Sequence, residues 1–104
     1  MSKQKKRPEL SLELLEQTAA MLRLLAHHHR LKVVEFLEDR EKGAPVYEIM
    51  EYIGLPHAAT SQHLNQMKRV GLLRSERNGK EVLYAIADVR ALTILNCIRK
   101  QQEG

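Results

Sequence analysis

The stretch VYEIMEYIGLPHAATSQHLNQMKRVGLLRSERNGKEVLYAI, residues 46–86, changes its hydrophobic pattern twice, and those changes decide the fold. Val46, Ile49, Met50 and Ile53 recur at helical spacing until Gly54 stops the pattern. Pro45 can open this short helix, because its missing N–H would be unpaired at a helix start anyway. After Gly54-Leu55-Pro56 a second helical pattern runs from His57 to Val70, with Ala59 or Thr60, His63 or Leu64, Met67 and Val70 at helical intervals and Lys68 and Arg69 in its last turn before Gly71. The period then drops to two: Leu73 leads into alternating polar residues, and Val82, Tyr84 and Ile86 alternate on the far side of Asn78-Gly79. That dipeptide tolerates the positive φ of a type I′ hairpin turn, so a two-stranded ribbon is predicted around it.

Upstream, SLELLEQTAAMLRLLA (residues 11–26) contains neither Gly nor Pro, and Ser11 is placed to cap it. At about 100° per residue, Glu13, Glu16, Ala20 and Arg23 share one narrow arc, while leucines and other apolar side chains cover most of the rest. A surface helix needs an apolar stripe only somewhat wider than about 100°. This first helix is therefore expected to bury two faces, one in its own core and one against another chain. HHHRLKVVEFLEDREKG follows as a second helix, with Leu31, Val34, Phe36 and Leu37 near helical spacing before Gly43. Downstream, Asp88 caps a last helix with Ala91, Ile94, Leu95 and Ile98 on one side.

With 104 residues there is room for one small domain, expected over residues 9–102 behind a flexible basic arm at 1–8. The formal charge of +4 is unevenly spread. Residues 8–55 hold five Lys/Arg against nine Asp/Glu, whereas 56–104 hold eight against four. No apolar run approaches the roughly 18 residues of a membrane span, and the Lys-rich start lacks a signal-peptide core, so a soluble cytoplasmic chain is expected. The lone Cys97 cannot form an intrachain disulfide or supply paired thiolates to zinc. Phosphate-loop, nucleophile-elbow and HExxH patterns are all missing, so the chain is not expected to be an enzyme.

Helix, helix, short helix, tight turn, helix, two-stranded hairpin, helix is the order of a winged helix-turn-helix, a mainly α fold whose second motif helix enters the DNA major groove. Between Pro56 and Lys80 five basic residues face one acidic residue. The expected DNA-contacting set on the fourth helix is His57, Ala58, Thr60, Ser61, Gln62, His63 and Lys68, mostly short or hydrogen-bonding side chains suited to base edges and phosphates. Arg74, Arg77 and Lys80 around the hairpin are expected to meet the backbone.

LAHHHRLKVVEFL (residues 25–37) followed by residues 46–86 resembles the ArsR/SmtB family of small dimeric winged-helix repressors, through an LAxxxRLxxL-like segment and SxHLxxLxxxGLLxxxRxGxxxxY-like spacing over roughly residues 20–87. The resemblance implies a homodimer through the first and last helices, a pseudo-palindromic double-stranded operator, and a repressor. It also implies that the helix at 57–70 reads the major groove, with His57, Ala58, Ser61, Gln62 and His63 in the contacting stretch. The chain departs from the family at Pro56, where a polar cap is common, and at Gln62, where an arginine is frequent.

The family's sensor sites are not matched. Pro45, Val46 and Tyr47 stand where arsenic-, cadmium- or lead-binding relatives carry thiolates, and Arg90, Gln101 and Gly104 stand where the last-helix site of zinc and nickel sensors has ligands beyond Asp88. His27, His28 and His29 are consecutive, and three consecutive helical residues point about 100° apart, so they are read as capping and packing groups with no partner further along the chain. Neither a metal nor a cofactor is expected, and the effector is left open. Two alternatives remain at this point: a thiol-based redox or sulfur sensor using Cys97, expected at the flank of the last helix, and a winged-helix protein-interaction module.

Overall fold

In a computed structural model, residues 7–103 are described, so most of the basic arm expected at 1–8 lies outside the described residues. Helix α1 (Leu12–Leu25) begins where the Ser11 Oγ accepts the Leu14 N–H at 3.0 Å. Helix α2 (His28–Leu37) follows a cap at His27, whose backbone is extended (φ −157°, ψ 119°) and whose Nδ1 accepts the His29 N–H at 3.3 Å. Strand β1 (Ala44–Pro45) leads directly into α3 (Val46–Ile53), and the Gly54 turn leads to α4 (His57–Arg69). Strands β2 (Leu73–Asn78) and β3 (Glu81–Ile86) form the wing, and α5 (Arg90–Glu103) is the last described element. This is the winged helix-turn-helix order read from the sequence, with one added strand.

The added strand makes the ribbon a three-stranded antiparallel sheet in the order β1-β3-β2, with Ala44 opposite Tyr84 and Pro45 opposite Leu83. Two residues carry no period, so the hydrophobic pattern holds no sign of it. Pro45 is tolerable there because β1 is an edge strand with an unused donor side. Gly43 makes the approach possible: its φ is +89°, and a Cβ at that position would lie 2.5 Å from the Tyr84 carbonyl oxygen. The hairpin also turns one residue later than expected. Asn78 pairs with Glu81, so the two-residue loop is Gly79-Lys80, with the glycine (φ +67°) at the first central position in place of Asn78-Gly79 in the turn.

Every helix contributes to one core, in which Val33, Val34, Leu37, Ile49, Leu64 and Met67 are buried to within about a hundredth of their surface. Met21 and Leu25 are the buried residues of α1, and Ala91 and Leu95 those of α5. The rest of α1 is bare: Leu12 is 70% exposed, and Leu14, Leu15 and Leu22 are all exposed. Val89 and Ile98 at α5 are exposed as well. The radius of gyration is 16.3 Å, against about 13 Å for a compact chain of this length. A single chain thus leaves an apolar flank uncovered, as the breadth of the α1 stripe predicts.

Candidate nucleic-acid interface

Helix α4 has two chemically distinct sides. Thr60, Leu64 and Met67 are buried, while His57, Ala58, Gln62, Asn65, Lys68 and Arg69 are exposed and Ser61 is half-buried. Pro56 at the cap offers no side-chain acceptor to the first turn, which leaves a positive helix end facing outward beside His57. One turn apart, the Ser61 Oγ and His57 Nδ1 are 3.4 Å from each other. These two, with Tyr47 of α3 and Lys80, Val82 and Tyr84 of the wing, line a shallow groove between helix and sheet. Glu81 lines the same groove, and its carboxylate beside the Tyr47 phenol raises that group above its ordinary pKa.

The wing adds cations. Arg74 is partly engaged, its Nη2 donating to the Glu41 carbonyl at 3.3 Å and its Nη1 lying 3.8 Å from Glu76. Arg77 reaches the carbonyl of Gly79 at 3.5 Å, and Lys80 sits in the loop itself. Among the described residues the ion pairs are Arg40–Asp39, Arg74–Glu76, Arg90–Asp88 and Arg99–Glu38. Lys68, Arg69, Arg77 and Lys80 therefore present unpaired charge, the arrangement a polyanion requires.

Two of the expected contacts are repositioned. Thr60 has no exposed surface, and its Oγ1 donates inward to the Leu55 carbonyl at 3.4 Å, so it belongs to the core and cannot touch a duplex. His63 is half-buried on the side of α4 that faces α2, where its Nδ1 accepts from the Arg30 Nε at 2.9 Å. Arg30 is a residue the sequence reading passed over. Its Nη1 donates to the Leu24 carbonyl at 3.2 Å and its Nη2 to the Gln66 Oε1, so one guanidinium joins α1, α2 and α4. The arginine of the LAxxxRL segment was the only signal, and helical period alone does not reveal a partner 33 residues away. Arg69 and Tyr47, also missed, lie at the exposed end of α4 and in the groove beside the wing.

The three consecutive histidines require a correction. His27 is the cap and not a helical residue, so the 100° rule does not apply to it, and a partner does exist further along the chain at His63. Ligand nitrogens of His27, His29 and His63 all lie within 4.8 Å of one another. Burial first, then the neighbouring charges of Arg30, His27 and His29, lowers the His63 pKa. Burial first, then His28, His27 and Lys32, lowers that of His29. Cys97 is exposed on α5.

Comparison with known proteins agrees with this architecture. The model of bacterial regulatory proteins of the arsR family matches residues 27–75. The HTH-type transcriptional repressor SmtB of Mycobacterium tuberculosis is 38% identical over 76 residues, 73% of this chain and 55% of that protein, so the chain spans about half the length of that relative. The transcriptional repressor PagR of Bacillus anthracis is 34% identical over 88 residues, 85% of this chain and 87% of PagR. Its crystal structure superposes with a TM-score of 0.76 over 85% of this chain and 99% of that one, at 32% identity. A homodimeric winged helix-turn-helix DNA-binding domain from Mycobacterium bovis superposes with a TM-score of 0.75 over 88% of this chain and 82% of that one, at 25% identity. These relatives are transcriptional regulators and not enzymes, and the chain belongs to the ArsR family of bacterial regulatory proteins.

Proposed function

We propose that the chain is a transcriptional repressor that binds a pseudo-palindromic duplex as a homodimer, with α4 of each copy in successive major grooves about 34–36 Å apart. The observation that carries this reading is that α4 buries Thr60, Leu64 and Met67 and leaves its hydrogen-bonding side chains exposed, while its first turn, through His57 and Ser61, borders one groove with Lys80 and Glu81 of the wing. In this reading Gln62, Ser61 and Ala58 meet base edges, while His57, Lys68, Arg74, Arg77 and Lys80 meet phosphates. Homodimerisation through α1 and α5 is supported by the apolar flank and by the dimeric state of the Mycobacterium bovis neighbour. In this reading the protein acts in the cytoplasm, where its duplex target lies.

The metal sites usual in the family are absent in this reading. At the position where the last-helix site would form, the Asp88 carboxylate is already held by Arg90, which donates from its backbone N–H at 3.0 Å, its Nε at 3.1 Å and its Nη2 at 2.7 Å. A thiol response through the exposed Cys97 is the second reading; normal oxidant sensitivity in Cys97→Ser removes it. A protein-interaction module in place of a homodimer requires a stable monomer in sedimentation.

The test is selection of duplexes from a random pool, followed by binding measurements on Ser61→Ala and Gln62→Ala. Removing either side chain's hold on a base edge is expected to cost about 1–3 kcal/mol of discrimination between the selected and a scrambled duplex. Unchanged affinity and sequence ratio in both variants overturn the assignment of α4.

A further inference from the structure

Outside the α4 and wing face, the densest cluster of ligating side chains is the junction of the α2 N-terminus with α4. His27 and His29 approach each other because only one of them is helical. The extended backbone of His27 swings its imidazole over the start of α2, where its ring centroid lies 5.5 Å from that of His29 and 4.6 Å from that of His63. His28 stacks on its neighbours but contributes no nitrogen to the group. We propose that His27, His29 and His63 form a binding site for one borderline divalent transition-metal ion, and that the ion takes the place of the Arg30–His63 hydrogen bond between α2 and α4.

The donor set selects the ion. Three imidazoles with neither thiolate nor carboxylate suit Zn²⁺, Ni²⁺, Co²⁺ or Cu²⁺ and exclude Ca²⁺ and Mg²⁺, which require oxygen ligands. Metal–nitrogen distances of about 2.0–2.1 Å put tetrahedral nitrogens roughly 3.4 Å apart. The present spread of up to 4.8 Å has to narrow on binding, and the exposed His27 and half-buried His29 are the side chains proposed to rotate. Three protein ligands leave a fourth position for water. The exposure of His27 provides the entry path.

Competition with Arg30 follows from the tautomers. An imidazole whose Nδ1 accepts from a guanidinium carries its proton on Nε2. Binding through Nδ1 displaces Arg30 directly. Binding through Nε2 moves the proton to Nδ1, which then has no lone pair for Arg30. By either route Arg30 keeps only its bonds to the Leu24 carbonyl and Gln66, and α4 becomes tied to α2 by the metal. His27 likewise gives up its acceptance of the His29 N–H if it ligates through Nδ1, or through Nε2 after the same proton shift.

The experiment is a titration of the full chain with Co²⁺, followed by Zn²⁺ competition. It reads the visible ligand-field absorption of the Co²⁺ form for stoichiometry and, in the diamagnetic Zn²⁺ form, the NMR signal of the Arg30 Nε–H for the displaced hydrogen bond. One ion per chain is expected, with a shift of the Arg30 signal. His27→Asn retains a capping oxygen while removing the imidazole, and it is expected to weaken binding about tenfold or more, as is His29→Gln. His28→Gln is expected to bind as the unaltered chain does. Absence of saturable binding overturns the proposal, and so does affinity indifferent to His27 and His29. Equal loss in His28→Gln also overturns it, because that pattern is chelation by a loose histidine triplet. Saturation with an unmoved Arg30 signal overturns the displacement.

Discussion

The α4–wing face and the α1–α5 flank are opposite in chemistry. The first is cationic and hydrogen-bonding, with Lys68, Arg69, Arg77 and Lys80 unpaired among the described residues, and its helix is anchored from behind by Thr60, Leu64 and Met67. The second is apolar and bare, with Leu12, Leu14, Leu15 and Leu22 of α1 and Ile98 of α5 standing in solvent. Charge in water is stable as it stands and awaits only a counter-charge, whereas exposed leucines gain free energy by meeting their like. One face thus suits an anionic polymer and the other suits a second copy of the chain. The difference makes the two surfaces separable by mutation.

The largest effect is expected on the flank. Leu15 and Leu22 are seven residues apart, hence within about 20° on α1, and both are exposed. Replacing both with Glu puts charge into the proposed interface without opening the core. Sedimentation should then give half the apparent mass, and affinity for a two-half-site duplex should fall by about a hundredfold or more, because linked binding of the second half-site is lost. A dimeric, fully binding double variant places the interface elsewhere.

A smaller effect is expected on the opposite face. Arg77→Ala and Lys80→Ala should weaken binding by similar factors on selected and scrambled duplexes. Each should make the slope of log affinity against log salt shallower by about one unit for each phosphate that is no longer neutralised. The dimer should be untouched. An unaltered slope removes the wing from the interface, and a change in sequence preference would move these residues from phosphate to base recognition.

These two faces were unequally legible in the sequence. Periods of 3.6 and 2 located α1, α3, α4 and the wing strands, because burial of one side repeats along each element. The breadth of the α1 stripe disclosed the flank for the same reason. What repeats nowhere stayed hidden. Strand β1 is two residues long, and it depends on a glycine whose Cβ would strike Tyr84. The Gly79-Lys80 loop differs from the expected Asn78-Gly79 by one step of register, which composition does not fix. Thr60 has the residue type of a DNA contact, but its position on the wheel one turn before Leu64 puts it inside. Arg30 and His63 meet through tertiary packing alone, and the convergence of His27 with His29 depends on a cap geometry that a helical wheel omits.

The smallest predicted effect concerns the join between α1 and α5. Asp88 accepts the Arg90 backbone N–H at 3.0 Å at the start of α5, and the Arg90 Nη1 donates to the Thr18 Oγ1 of α1 at 3.3 Å. Hydrogen bonding from the Arg90 side chain, opposed by partial burial, holds the Asp88 carboxyl below its ordinary pKa. Arg99 acts in the same way on Glu38, which ties α5 to the end of α2. Because both folded-state values are lowered, the unfolded chain takes up protons first as the solution is acidified. The stabilisation is complete above the ordinary carboxylate range of roughly pH 4 and is lost as the pH falls through the lowered values. Asp88→Ala should cost about 1 kcal/mol of stability at pH 7, as loss of a helix cap does, which is roughly 5 °C in melting temperature for a domain of this size. Asp88→Asn keeps an oxygen for the cap but has no charge to titrate, so its stability should fall less steeply than that of the unaltered chain between about pH 5 and pH 3. Both variants should retain sequence preference on duplex DNA, since neither touches α4. A changed preference would mean that the flank and the DNA face are coupled through α5 and do not act independently.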